Sequence, residues 1–299
     1  MEKPQLTKYL QPEIISSIKN LELIARLVVE GYLTGLHRSP FHGFSVEFSQ
    51  HRPYMAGDSL RYIDWKVFGR TDRYYIKQFE EETNLKCYIL LDISKSMLYG
   101  SAAINKNMYA AYLAAALAYL MIQQRDATGL ALFHENLQRI IQPKSVRSHL
   151  NVLLNEIDNA HYGADTHISE ALHKIAEEFN RKGLIILISD LLDDQKKILD
   201  GLKHFRHNKH EVLVFHIIDR QEKEFNFSGD IQFEDLESDE KIKTQPGFIR
   251  SEYQQKFNEF LQYFKINFSN NRIDYQQLYT DTPYDVALTE FLMKRKRIL

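Results

Sequence analysis

Apolar positions recur at helical spacing from residue 13 to residue 33, where Ile14, Ile18, Leu21, Leu27, Val28 and Tyr32 fall on one side and Pro12 stands at a first-turn position. The pattern predicts an amphipathic helix that needs a partner surface. From Gly43 to Phe48 the period drops to two, with Phe44, Val46 and Phe48 alternating as in a half-buried strand, and a polar stretch then runs to Gly57-Asp58. After Thr83 the texture changes. Short apolar runs predict strands at residues 87–91, 129–133, 184–189, 211–217 and 274–278, and residues 138–141 add an edge hairpin. Helical patterns fall between them at 105–123, 145–157, 167–180 and 194–207, and a helix pair at 251–267 and 284–296 completes the layers.

This alternation reads as right-handed βαβ units around a buried sheet. The expected fold class is α/β: an open, mainly parallel sheet flanked by helices over residues 84–299, preceded by a small N-terminal α+β segment over residues 1–83. Near residues 219–248, Phe225, Phe227, Ile231 and Phe233 alternate around Ser228-Gly229-Asp230 like a small hairpin, which predicts a β insertion. The chain carries no internal repeat and no low-complexity linker.

A length of 299 residues with 44% hydrophobic positions is enough for one large α/β domain plus a smaller unit and excludes a disordered chain. A formal net charge of -2 gives neither a global polyanion nor a polycation to dictate the partner class. The single cysteine, Cys87, lies in an apolar run, so an internal disulfide framework is excluded and a buried thiol is expected. The first eleven residues have no apolar run behind them, and the most apolar helix pattern, 108–122, is too short for a membrane span and carries Tyr109, Tyr112 and Tyr119. Cytoplasmic residence without a membrane span is the expectation.

The chemistry concentrates at the carboxyl end of the first long strand, in Asp92-Ile93-Ser94-Lys95-Ser96. Open parallel sheets bind ligands outside the carboxyl ends of their strands, so topology alone places Asp92 well. The strand over 184–189 runs directly into Asp190, which puts a second carboxylate on the same edge, and Gly163-Ala164-Asp165-Thr166 enters a helix where the Thr166 hydroxyl can turn inward. Two carboxylates and three hydroxyls are hard oxygen donors, which select Mg²⁺, with Mn²⁺ or Ca²⁺ also suited. Such a set leaves room for an external ligand. The competing structural reading is that Asp92 and Ser94 cap one helix and Asp190 another, with Asp165 able to replace Thr166 as donor.

In this order and placement, Asp92, Ser94, Ser96, Thr166 and Asp190 resemble the metal-ion-dependent adhesion site of von Willebrand factor A-like domains, a site that binds partner proteins in that family. Upstream, the run Arg52-Pro53-Tyr54-Met55-Ala56-Gly57-Asp58-Ser59-Leu60-Arg61-Tyr62-Ile63-Asp64-Trp65-Lys66, with Gly69-Arg70 and Lys77-Gln78-Phe79-Glu80-Glu81-Glu82 behind it, resembles the bacterial and archaeal family called domain of unknown function fifty-eight. Nearly the whole chain fits that pattern, including Phe233-Glu234-Asp235-Leu236-Glu237. The resemblance implies a von Willebrand factor A-like domain and association with MoxR-type AAA+ ATPases, hence an adaptor or chaperone-linked role. The expected partner is such an ATPase, a client protein offering an Asp or Glu to the metal, or both.

Arg52, Tyr54, Asp58, Arg61, Asp64, Trp65 and Lys66 admit two roles: a charge network fixing the segment to the larger domain, or a partner-binding face, since aromatics and Arg favour binding hot spots. Enzyme templates are missing. Ser94 stands where a haloacid dehalogenase-type phosphatase needs its second aspartate, and there is no phosphate loop, Gly-x-Ser-x-Gly elbow or His-Glu-x-x-His motif. A binding protein rather than an enzyme is expected, with metal-dependent hydrolysis or nucleic-acid binding as the alternatives. His204, His207 and His210 have a zinc-like spacing but flank a helix end that suits histidine by itself. Arg61, Lys66, Arg70, Arg73, Lys77 and the terminal 294–297 run are interleaved with acids and match no nucleic-acid motif, so nucleic acid is not the expected partner.

Overall fold

The structure, a computed structural model, describes residues 12–15, 18, 20–36, 51–53, 65–77, 85–134, 136–163, 168–179, 182–229, 231–234 and 241–298. The N-terminal part contributes α1 (Pro12–Ile15), α2 (Leu21–Leu36), β1 (His51–Pro53), α3 (Trp65–Thr71) and β2 (Tyr75–Lys77). There follow β3 (Lys86–Asp92), α4 (Lys106–Gln123), β4 (Ala127–Phe133), β5 (Leu137–Lys144), α5 (Ser148–Asp158), α6 (Ile168–Glu178), β6 (Leu184–Ser189), α7 (Gln195–His207) and β7 (Glu211–Ile218). The chain closes with α8 (Arg220–Glu224), β8 (Ile231–Glu234), β9 (Lys241–Thr244), α9 (Pro246–Asn270), β10 (Asp274–Tyr279) and α10 (Tyr284–Ile298).

Six strands form the central sheet in the order β10-β7-β6-β3-β4-β5, parallel except for the β4–β5 edge hairpin. Its inner strands are mostly apolar because both faces are covered. Along β3, Cys87, Ile89 and Leu91 face a layer with α2, α4, α5 and α10, whereas Tyr88 and Leu90 face α6, α7 and α9. On β6, Leu184, Ile186 and Ile188 go to the first layer and Ile185 and Leu187 to the second. This is the expected α/β arrangement of an open, mainly parallel sheet between two helical layers. Cys87 is buried and reduced, as expected. No described helix is long and apolar enough to cross a membrane.

The N-terminal helical pattern resolves into two pieces, α1 and α2. Ile24, Ala25, Val28 and Val29 of α2 join the same core as α4, whose Ala110, Ala114, Ala115, Ala116 and Ala118 are fully buried. Small side chains let α4 lie between the sheet and a second helix. Val28→Asp places an unpaired carboxylate in that layer and is expected to lower stability by at least ~3 kcal/mol in urea unfolding. An unchanged midpoint would mean that α2 does not share the core.

The strand expected at residues 43–48 lies outside the described residues, and one local expectation changes. The small hairpin is not the one suggested by the Phe225-to-Phe233 alternation: β8 pairs with β9, Ile231 opposite Thr244 and Glu234 opposite Lys241. Phe225 instead ends α8 in a left-handed conformation, with φ 50°, and its ring stacks between Phe233 and Tyr253. Ile231 and Phe233 do lie on β8, but at Phe225 and Phe227 the alternation records an aromatic cluster packed against Tyr253 of α9, not a strand.

Candidate metal centre

The chain leaves β3 through α4 to reach β4 on one side, and later returns to place β6 on the other side of β3. The carboxyl ends of β3 and β6 therefore flank a topological switch point, where α/β sheets open a crevice. Asp92 is the last residue of β3 and Asp190 follows β6 directly.

Asp92 is fully buried. Its Oδ1 accepts the Ser94 backbone N–H at 2.9 Å and its Oδ2 accepts the Ser189 hydroxyl at 2.6 Å. The Ser189 Oγ also receives the Leu191 N–H at 2.9 Å, so one hydroxyl ties the two strand ends together. Leu191 is buried with φ 55°, a left-handed turn that costs energy for a leucine and bends the chain sharply after Asp190. Burial, followed by the charge of Asp190, pushes the Asp92 carboxyl up to about 7 despite these hydrogen bonds. An unneutralised carboxylate is therefore costly here, and a cation would remove the cost.

Ser94 and Ser96 bring their hydroxyls within 3.0 Å of each other. The Ile93 N–H donates to the Phe133 carbonyl at 2.8 Å, which holds the start of this loop against β4. Tyr162 adds a feature the motif did not announce. Its phenol is raised by burial and by Asp92, and its Oη is buried with no hydrogen-bond partner among the described residues. A buried hydroxyl without a partner beside a carboxylate is the signature of a polar site that takes a ligand or water.

Asp190 is held from two directions. Its Oδ2 accepts from the Lys106 ammonium at 2.8 Å and its Oδ1 accepts the Leu192 N–H at 3.3 Å. Lys106 is fully buried and also donates to Glu222 Oε1 at 2.5 Å. Burial alone pulls the ammonium down, but Asp190 and Glu222 more than offset it and hold it above its ordinary value. Behind Asp190, His216 bonds to the Asp190 backbone and to the Tyr275 hydroxyl, the latter at 2.6 Å. Burial pushes His216 down to about 4, so it is neutral and donates to the Asp190 carbonyl while accepting from Tyr275.

The loop between β3 and α4 is folded back on itself and tied to α8. A Cβ at Gly100 would stand 2.5 Å from the Asn105 Cα, so only glycine permits that approach. Asp219 accepts the Ser101 N–H at 2.9 Å and the Ser101 hydroxyl at 2.6 Å while capping α8. This contact brings Glu222, on α8, to Lys106, at the first turn of α4.

Of the expected ligands, Asp92, Ser94, Ser96 and Asp190 meet at this edge, and Thr166 and Asp165 lie outside the described residues. The helix-cap alternative finds no support: Asn105 caps α4 through its side chain, Asp194 caps α7, and the Ser94 side chain makes no cap bond. Sequence reasoning missed Ser189, Tyr162, Lys106, His216 and Glu222. A signal for Lys106 existed, because a lysine in the first turn of a helix opposes the helix dipole and needs acids elsewhere to hold it.

Among the described residues, no three His, Cys, Asp or Glu side chains group as a metal cluster. That excludes the zinc spacing: His210 is buried on the Phe179 carbonyl at 2.8 Å, while His204 meets His173. The site at β3 and β6 offers instead two carboxylates with hydroxyls, a donor set suited to a hard cation that keeps water or an external oxygen in its shell. The buried Asp92 and the unpartnered Tyr162 hydroxyl fit such an ion. Of the upstream residues, Arg52 lies on β1, paired with Ile76 of β2, and Trp65 and Lys66 begin α3. The Trp65 ring is 60% exposed and meets Phe68 edge-on. Tyr54, Asp58, Arg61 and Asp64 lie outside the described residues.

Uncharacterized proteins of Mycobacterium tuberculosis and Mycobacterium bovis are each 25% identical to the chain over 232 residues, 76% of this chain and 72% of theirs. Among solved structures, the conserved hypothetical protein BatB of Bacteroides thetaiotaomicron matches 71% of this chain and 99% of its own at 14% identity and a TM-score of 0.47. An aerotolerance-related membrane protein of Bacteroides fragilis matches 70% and 99% at 16% identity and a TM-score of 0.48. The family described as "Protein of unknown function DUF58" matches residues 50–260. Spanning most of the chain and including both strand ends of the site, that match shows that the chain belongs to the DUF58 family.

Proposed function

We propose that the chain is a metal-dependent protein-binding module, in which Asp92, Ser94 and Ser96, with Asp190 and Thr166, hold Mg²⁺ or, in its place, Mn²⁺ or Ca²⁺. The observation that carries this reading is a buried carboxylate, Asp92, beside two converging serine hydroxyls at the switch point of the sheet. An oxygen-rich site of low charge leaves the cation electrophilic toward an outside carboxylate. Binding rather than turnover is favoured because His216, the imidazole beside Asp190, has both nitrogens engaged and is not placed as a base.

The partner proposed is a MoxR-type AAA+ ATPase or a client shared with it, presenting an Asp or Glu to the metal, with the encounter in the cytoplasm. The family resemblance motivates the ATPase and the donor set motivates the carboxylate. Equilibrium binding to a purified MoxR-type ATPase is expected to weaken at least ~10-fold in chelator and with Ser94→Ala or Ser96→Ala. Equal binding in chelator would reject the metal contact and move the interface to residues 52–66. Trp65→Ala separates the roles of that segment, because loss of binding with an unchanged melting temperature marks an interface.

A further inference from the structure

Lys106 is the feature of the site that a metal-binding reading does not require. An ammonium group is fully buried at the head of α4, where the helix dipole disfavours it, and is ion-paired at 2.8 Å to one of the two carboxylates proposed to serve the cation. A second acid, Glu222, is delivered to it by a separate element at 2.5 Å. The Asp219 capping box and the Asp219–Ser101 contacts fix that delivery. A charge that is costly to bury and held by two acids from distant parts of the chain is a built arrangement.

We propose that Lys106 is a specificity-determining residue of the site: a tethered cation that keeps Asp190 engaged and opposes the divalent ion, so that the ion is held weakly and the loaded site stays receptive to an anionic partner. The proposal rests on the metal-binding reading above. Its physics is local charge. In the cation-bound state, with all three carboxyls ionised, Asp92, Asp190 and Glu222 would carry three negative charges and Lys106 one positive charge, so the group as a whole is balanced by one divalent cation. Without the ammonium the same cation would sit in a net negative cluster, bound more tightly but less attractive to an outside carboxylate. Both oxygens of Asp190 already have protein partners, Lys106 and the Leu192 N–H. Asp190 would therefore serve the cation while shared with Lys106, which moderates the negative charge it offers.

The test uses the full chain and Mn²⁺ alone, with affinity read by calorimetry and by water-proton relaxation. Lys106→Met keeps the aliphatic stem and removes the charge, and is expected to tighten Mn²⁺ binding ~10-fold or more. Glu222→Gln leaves the ammonium less compensated and is expected to weaken Mn²⁺ binding several-fold. Lys106→Arg keeps the cation and is expected to restore parental affinity, a rescue that a merely space-filling role would not give. In chelator Lys106→Met is expected to melt below the parent, and added Mn²⁺ to recover most of the difference, because the metal takes over the missing counter-charge. Should Lys106→Met fail to fold, the opposite shift in Glu222→Gln and the parental value in Lys106→Arg carry the test. A parent that binds Mn²⁺ with Lys106→Met equal or weaker overturns this inference and leaves the metal site standing. No Mn²⁺ binding by the parent or by any variant overturns both.

Discussion

Asp92→Asn is expected to abolish divalent-cation binding, weakening Mn²⁺ at least ~100-fold, while the chain stays folded and in chelator melts no lower than the parent. The carboxamide has nearly the same shape as the carboxylate. Its carbonyl oxygen can still accept the Ser94 N–H, and the Ser189 hydroxyl can reverse to accept from the new amide. What disappears is the one charge that burial and Asp190 make most costly and that a hard cation most needs. Asp92→Ala would also abolish binding but strands the Ser94 N–H and the Ser189 hydroxyl in a buried place, at about 1–3 kcal/mol each, so it mixes loss of ligand with loss of stability. Calorimetry with Mg²⁺ and Mn²⁺ on parent and Asp92→Asn, beside melting curves in chelator, separates the two. Parental affinity in Asp92→Asn would remove Asp92 from the metal site.

The parts of this molecule legible in its sequence are those where one local pattern determines one outcome. β3 and β6 read correctly because burial on both faces leaves an unbroken apolar run, and Asp92 and Asp190 could be placed because each follows such a run directly. Ser94 and Ser96 belong to the same short loop. Lys106 and Glu222 were not legible because their meeting depends on tertiary contacts: Lys106 lies 84 residues from Asp190 and 116 from Glu222. His216 hides inside the apolar run of β7, where a histidine reads as an imperfection and not as the group that fixes the Asp190 backbone. At Phe225 and Phe227 the period-two pattern misled, since a left-handed residue and ring stacking on α9 produce the same spacing of aromatics as a strand. Periodicity reports which side chains are apolar together, and cannot tell a pleated face from a cluster at a helix end.

Divalent-cation affinity is expected to fall as pH drops through about 7, approaching tenfold per unit below it, with proton release on binding in the same range. Asp92 carries the effect. Burial first, and Asp190 second, raise its carboxyl to about 7, so below that value the folded chain holds a proton that a cation must displace. The sign for stability follows from the same shift. In chelator, the cost of ionising Asp92 is absent below its ordinary value of 3.8, grows as pH rises toward 7, and is complete above 7. His216 acts in the opposite sense, because its folded value, pushed down to about 4 by burial, makes acidification between 6.5 and 4 destabilising. The two act in opposite senses in mildly acidic solution, and Glu222, also raised by burial, adds to the first, so the melting temperature in chelator is a poor gauge of any one of them. The increment that Mn²⁺ adds to the melting temperature isolates Asp92, since His216 stays neutral in the fold with or without the ion. That increment should be large at pH 8 and small by pH 5.5, and calorimetry in two buffers of different ionisation enthalpy should show close to one proton released near pH 6. A Mn²⁺ increment unchanged between pH 8 and pH 5.5 would mean that the cation is held by groups other than a buried carboxylate, and Asp92 would lose its place as the principal ligand.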